Sequence, residues 1–355
     1  MFGTLWDLED SLSATVRRFS RLQCAAVRVL VTGGSGFLGS YVAEGLAEGG
    51  HTVRALVRPR SDKKILEKLP GVEFAPGAIE DRASLDAAMR GVDAVIHVAG
   101  LVKARNSAEF FAVNTEGTKN LLAAAEAHAP GLRRFVYVSS LAAVGPSDDG
   151  KPVPDDATPR PVTHYGRSKL AAEQAVLAAK DRVPVTVIRP PLIYGPRDKE
   201  TLAFFTSVKN GVLPMTGDGR NTLSVVYGAD CAAACIRAAT SDGVPSGRAY
   251  FVEDGEVLVW REALDAIEKA IGKRAFVRFG LPIGVIKAAA AATQLYGKVT
   301  NTAQMLTLDK VRELRQRHWV CEGRGAREEL GWSPRVRWAQ GVAEAVEWYR
   351  SAGWL

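Results

Sequence analysis

The chain has only four cysteines in 355 residues, Cys24, Cys231, Cys235 and Cys321, and no two of them form a Cys-x-x-Cys pair. That spacing excludes a disulfide scaffold and a thiolate metal site, and it fits a reducing, cytoplasmic compartment. Cys231 and Cys235 lie one helical turn apart in an Ala-rich stretch, a spacing for core packing. No run of about 18 uncharged apolar residues occurs, so no membrane-spanning helix is expected. The longest candidate, Leu281–Tyr296, is interrupted by Lys287. The formal net charge is +7, yet no basic run is interleaved with aromatics, which argues against nucleic acid as a partner. A secretory signal is missing too: in residues 1–26 the charged and apolar parts come in the wrong order. That stretch reads either as an amphipathic extension docked on the surface or as the result of a start codon placed upstream of a true start at Val27.

What is present is a regular alternation. Apolar runs occur at Val29–Thr32, Val53–Val57, Val72–Ala75, Ala94–Val98, Phe135–Val138 and Val185–Ile188. Helical patterns lie between them, at Phe37–Glu48, Ala83–Arg90, Glu116–His128 and Ser168–Lys180. Continuous apolar strands are buried on both faces, and strand–helix alternation builds a parallel sheet covered by helices on each side. The expected fold is therefore α/β: a Rossmann-type doubly wound parallel sheet over residues 27–190, then a smaller mixed C-terminal substrate lobe over 191–355. Within the second part, 221–240 (strand, then helix) is expected to return to the Rossmann domain. Ligands bind such sheets at the carboxyl ends of the strands, so the informative residues follow each strand.

The first strand ends in Thr32-Gly33-Gly34-Ser35-Gly36-Phe37-Leu38-Gly39. Gly33, Gly36 and Gly39 sit at i, i+3 and i+6. With 34 glycines in the chain, chance alone gives roughly 0.3 such triplets, so the context decides. Here a strand precedes and an amphipathic helix follows. Glycine permits φ > 0 in the turn and lets backbone N–H groups approach a pyrophosphate, which the helix N-terminus also attracts. The cofactor-binding candidates are Gly33, Ser35, Gly36, Phe37, Leu38 and Gly39.

After the second strand, where an acidic residue would hold a free ribose 2′-hydroxyl, stands Arg58, with Arg54 and Arg60 nearby. A guanidinium suits a 2′-phosphate, which favours NADP(H) over NAD(H). After the fourth strand, Ala99 and Gly100 leave room for the cofactor. After the fifth come Ser139 and Ser140, and Tyr165 and Lys169 lie one helical turn apart on one face. Hydride transfer to a carbonyl needs a proton donor at the developing alkoxide, and the reverse needs a base. A tyrosine near pKa 10 is a poor base; lowering it by about 3 units takes roughly 4 kcal/mol, which Lys169 and an oxidised nicotinamide are expected to supply. A serine hydroxyl can orient the substrate oxygen. Asn114 could anchor a water or a backbone kink that relays protons to Lys169.

These motifs, together with His97-Val98-Ala99-Gly100, Val113-Asn114-Thr115-Glu116-Gly117-Thr118 and Arg189-Pro190-Pro191-Leu192-Ile193-Tyr194-Gly195-Pro196, resemble the extended short-chain dehydrogenase/reductase superfamily, the NAD(P)-dependent epimerase/dehydratase group. The resemblance runs from about residue 28 to the C-terminus. It implies a catalytic Ser–Tyr–Lys set in which Ser140, five residues before Gly145, is the better serine and Ser139 the fallback. It also implies a homodimer through the helices at Glu116–His128 and Ser168–Lys180. Nucleotide-sugar epimerases and dehydratases of the group carry Asn where this chain has Leu192, and a diphosphate-binding Arg where it has Leu223. Leucines facing a buried diphosphate would leave it short of partners. The chain looks more like the branch of 3β-hydroxysteroid dehydrogenases, dihydroflavonol reductases and 2-alkyl-3-oxoalkanoate reductases. Ala78 departs from the family's usual Asp at the adenine. The resemblance thus implies an NAD(P)-dependent oxidoreductase acting on a hydroxyl or ketone of a largely apolar small molecule. The alternatives are a nucleotide-sugar epimerase or dehydratase and, in another class, a dinucleotide-sensing regulator without turnover.

Lys103, after the fourth strand, and Leu192 and Leu223 in the C-terminal part are candidates for the substrate side of the site. Leu281–Tyr296 reads either as the lining of an apolar pocket or as plain core. Lys273–Arg337 holds 13 Lys/Arg against 5 Asp/Glu, a basic excess suited to anionic partners, including peripheral contact with an anionic membrane.

Overall fold

The computed structural model describes residues 26–355, and the reading of 1–26 as an extension falls almost wholly outside them. Six strands follow the apolar runs: β1 (Arg28–Thr32), β2 (Thr52–Val57), β3 (Val72–Pro76), β4 (Ala94–His97), β5 (Arg134–Val138) and β6 (Val185–Arg189). A seventh, Arg248–Phe251, joins beyond β6. The sheet order is Arg248–Phe251, β6, β5, β4, β1, β2, β3, and every pairing is parallel. The Rossmann-type α/β fold read from the sequence is the observed one. The seventh strand escaped the pattern because it is only four residues long and begins with exposed Arg248.

Successive strand residues point to opposite faces. Val29 and Val31 of β1 face one core, with the helices Phe37–Glu48 and Gly228–Thr240. Leu30 between them faces the other, with the helices Arg82–Ala88, Gly117–His128 and His164–Ala178. Cys231 and Cys235 lie buried in the first core, so the helix Gly228–Thr240 packs on the main sheet, whereas the strand part of 221–240 does not join it and pairs within smaller sheets. The order reverses between β1 and β4, where Thr32 pairs with His97. A crevice opens outside the strand ends at such a point.

Smaller sheets form the rest. Leu192–Tyr194 pairs with Val225–Tyr227, and Val212–Thr216 pairs with Val277–Leu281. They share a core with the helices Leu202–Lys209, Trp260–Ile271 and Trp338–Ser351, built on Phe205, Leu264, Trp338 and Tyr349. Of the two readings of Leu281–Tyr296, plain core does not hold for the helix Ile283–Thr300: only Ile286, Ala290 and Gly297 are buried, and Ile286 and Ala290 cluster with Val311 of the helix Leu308–Leu314. Among the described residues no helix is long and apolar enough to cross a membrane.

Candidate active site

The glycine turn has the shape the sequence asks for. Gly33 has φ +72°, and a Cβ there would stand 2.8 Å from the Ala99 backbone nitrogen. A Cβ on Gly39 would fall 2.0 Å from the Gly33 carbonyl oxygen, so the third glycine lets the helix close on the strand end. Gly36 caps the helix Phe37–Glu48 without a side chain, leaving first-turn N–H groups open, and no acidic residue competes for them. Ser35 and Gly36 are exposed and Phe37 is half-buried beside Tyr41. Leu38 is buried in the sheet core, so it can offer an anion only its backbone.

His97, which the sequence offers only as part of the His97-Val98-Ala99-Gly100 motif, ties this turn to the next element. The Thr118 hydroxyl donates to the Asn114 carbonyl at 2.6 Å, so it accepts from His97 Nε2, 2.9 Å away. Nδ1 is left as an acceptor for the Thr32 hydroxyl at 2.6 Å, and the Thr32 oxygen accepts the Ala99 N–H at 3.2 Å. Burial, with Lys169 nearby, pulls His97 down to about 3, so the ring is neutral, as this bonding requires.

Asn114 stands in a π-helical turn, Phe111–Glu116. Its Oδ1 accepts from Leu101 N at 2.7 Å, and its Nδ2 donates to the Leu101 carbonyl and to Ser168 Oγ, both at 3.0 Å. Ser168 Oγ in turn donates to the Tyr165 carbonyl at 2.7 Å. The amide therefore holds the loop after β4 against the helix that carries Tyr165. A Cβ on Gly100 would lie 3.1 Å from Asn114 Oδ1 and 3.8 Å from Lys169 Nζ, which brings these three together.

The helix His164–Ala178 starts where Thr163 Oγ1 accepts the Gly166 N–H at 3.0 Å, placing Tyr165 in its first turn. Ser140 caps the short helix Leu141–Val144, accepting the Ala142 N–H at 3.1 Å, and its hydroxyl stands beside Tyr165. Of the two serines, Ser140 is thus the neighbour of Tyr165. Ser139 Oγ is buried with no hydrogen-bond partner among the described residues. Lys169 Nζ donates to the Val138 carbonyl at the end of β5, at 2.6 Å, and lies over the Tyr137 ring. Buried Glu173, one turn further on, pairs with Arg189 at the end of β6.

Burial pushes the Tyr165 phenol up to about 12; the Ser140 hydroxyl pulls the other way and Glu313 adds to the rise. Burial also draws the Lys169 ammonium down to about 7, with Glu173 opposing. The lowering expected of Lys169 and an oxidised nicotinamide together belongs to the loaded site; in the chain alone burial sets both groups. The ammonium is spent on the Val138 carbonyl, and dehydration dominates both groups.

Other candidates lie apart. Arg58 is exposed just past β2, and its guanidinium makes no hydrogen bond or ion pair among the described residues, whereas Arg54 is held by Glu73 and by two carbonyls. Lys103 forms an exposed pair with Glu200, 3.2 Å apart. Leu192 and Leu223 are half-buried against the C-terminal core.

The residues fit a nicotinamide dinucleotide. The glycine turn has no room for a side chain, the helix N-terminus is open, and a buried hydroxyl, Ser139, lacks a partner at the end of β5. Residues 29–252 match the NAD dependent epimerase/dehydratase family. The chain is 33% identical to a ceramide reductase of Caulobacter vibrioides over 330 residues, 92% of this chain and 96% of the reductase. It is 34% identical to a 2-alkyl-3-oxoalkanoate reductase of Stenotrophomonas maltophilia over 260 residues, 69% of this chain and 76% of that one. A dTDP-glucose 4,6-dehydratase of Streptomyces venezuelae, solved with NAD bound, superposes with a TM-score of 0.76 at 25% identity, covering 92% of this chain and 98% of that one. The chain belongs to the NAD dependent epimerase/dehydratase family, within the extended short-chain dehydrogenase/reductase superfamily, and is a nicotinamide-dependent dehydrogenase/reductase.

Proposed function

We propose that the chain is an NADP(H)-preferring reductase that interconverts a ketone and a secondary alcohol on a largely apolar substrate. The observation that carries this is the convergence of Ser140, Tyr165 and Lys169 at the end of β5, beside a glycine turn shaped for a pyrophosphate. Gly33, Gly36, Gly39 and the backbone of Phe37 and Leu38 would hold the pyrophosphate, and Ala99 and Gly100 would flank the ribose. When bound, the nicotinamide supplies or accepts the hydride. In reduction, Tyr165 Oη gives its proton to the substrate oxygen as negative charge develops there; in oxidation it takes that proton back. Ser140 Oγ orients the same oxygen. Lys169, one turn below, favours the phenolate that reduction leaves on Tyr165. Asn114 and the Glu173–Arg189 pair position the helix and are not in contact with the reacting atoms.

The relatives named as ceramide and oxoalkanoate reductases support an apolar substrate. So do Leu192 and Leu223, where a nucleotide-sugar enzyme would carry polar groups. A homodimer through the helices Gly117–His128 and His164–Ala178 is the expected assembly.

The NADP(H) preference rests on Arg58, and calorimetry tests it. A charge-assisted hydrogen bond to a 2′-phosphate contributes about 1.5–3 kcal/mol, roughly 10- to 150-fold. NADPH is expected to bind that much more tightly than NADH, and Arg58→Ala to erase the difference while leaving NADH binding unchanged. Tighter NADH binding by the wild type, or an indifferent variant, would contradict the assignment.

A further inference from the structure

The segment 273–308 exposes more large apolar side chains than a free surface accounts for. Phe276 is 77% exposed, Leu295 64%, Tyr296 63% and Val299 80%; Val285 and Met305 are exposed as well. On the helix Ile283–Thr300, the buried residues Ile286, Ala290 and Gly297 form one narrow stripe. At about 100° per residue, Val285, Ala288, Ala292, Leu295, Tyr296 and Val299 fall within a separate arc of about 100° on the solvent side. The helix thus has two apolar faces, and only one of them is covered. Apolar patches of this kind mark interaction sites.

The charge around the open face says what covers it. Residues 273–300 carry five Lys/Arg and no Asp or Glu. Arg278 is already paired with Asp265 and Glu268. Lys273, Arg274, Lys287 and Lys298 are exposed and have no carboxylate partner among the described residues. Lys287 and Lys298 both fall beside the apolar arc, roughly 60–80° from its edge. Apolar side chains bordered by unpaired lysines on a helix too polar to span a bilayer form an interfacial element.

We propose that this face docks on an anionic phospholipid surface, with Leu295, Tyr296 and Val299 in the headgroup–acyl boundary and Lys287 and Lys298 on lipid phosphates. Leu308–Leu314, the helix that covers the buried stripe, abuts the catalytic helix: Asp309 accepts the His164 N–H at 2.8 Å. Asn301, just past Ile283–Thr300, accepts from Arg105 in the loop after β4 at 3.2 Å. Docking there would bring the start of the catalytic helix, which carries Tyr165, toward the membrane surface, where an apolar substrate would partition. The docking needs no bound cofactor and no turnover, so it stands or falls apart from the redox assignment.

Flotation of the purified chain with lipid vesicles tests it. The probes are vesicles of phosphatidylcholine alone and of phosphatidylcholine mixed with phosphatidylglycerol. The chain is expected to float with the anionic vesicles and much less with the neutral ones. Each lysine near an anionic surface contributes about 1 kcal/mol, so Lys287→Ala with Lys298→Ala should weaken binding about thirtyfold. Leu295→Glu with Val299→Glu should abolish it, at unchanged melting temperature and unchanged turnover of a water-soluble ketone. No flotation at any composition would overturn the proposal, as would equal binding to both vesicle types. So would light scattering that shows a dimer which the glutamate variant splits, because a second copy would then cover the face.

Discussion

Glu173 Oε1 and Arg189 Nη2 lie 2.5 Å apart with both side chains buried, and this pair fastens the catalytic helix to the end of β6. Arg189 also donates to the Asp155 carbonyl at 2.6 Å. Tyr165 and Lys169 ride on that helix, so their placement depends on a contact neither of them makes.

Removing one partner strands a buried charge. Glu173→Ala is expected to lose about 3–5 kcal/mol of stability and most of the activity. A Glu173→Met, Arg189→Met double variant should lose clearly less than the sum of the single losses, because no charge is left buried. Urea denaturation of the three variants measures this coupling; strict additivity would show that the pair does not act as a unit.

His97 makes stability sensitive to acid. Its folded pKa of about 3 lies below the ordinary value of 6.5, so between these pH values the unfolded chain takes up a proton that the folded one refuses. Stability is therefore whole above pH 6.5 and falls as the pH drops toward 3, by about 1.4 kcal/mol per unit from this group. His97→Gln should lack that share of the slope, whatever its stability at pH 7. Denaturation at pH 7, 6 and 5 compares the two slopes, and equal slopes would contradict the neutral, buried ring.

Lys169 acts in the alkaline range. Its folded pKa of about 7 lies below the ordinary 10.5, so the unfolded chain holds the extra proton between those values. The cost of burying the ammonium is full below pH 7 and disappears as the pH approaches 10.5, so stability rises across that window. Against the wild type, Lys169→Met should be relatively most stable near pH 6, and its advantage should shrink by about 1.4 kcal/mol per unit from pH 7 upward. A difference independent of pH would contradict the depressed lysine.

Much of this was legible in the sequence. β1 to β6 and the glycine turn could be read because continuous apolar runs and invasive Cβ contacts leave few alternatives: Gly39 must be glycine where the Gly33 carbonyl stands in its way. Ser140 could be placed because it follows a strand end, and Tyr165 and Lys169 because they stand one helical turn apart on one face. The Glu173–Arg189 and Thr32–His97–Thr118 links could not, since their partners are 16 to 65 residues apart and meet only in the folded chain. The two readings of Leu281–Tyr296 could not be told apart in the sequence for a related reason. Alanine and valine on a helix look the same whether they meet a core or water, and only the packing of Leu308–Leu314 on one narrow stripe separates the two.

The central claim, that Tyr165 exchanges a proton with the substrate oxygen during hydride transfer, is tested most directly by oxidation of NADPH against a panel of apolar ketones with wild type and Tyr165→Phe. The account predicts turnover by the wild type on at least one such ketone. It also predicts a loss in kcat of about 10²- to 10⁴-fold in the variant, with cofactor affinity unchanged within about twofold. A variant that keeps its full rate would contradict the assignment of Tyr165 as the acid/base.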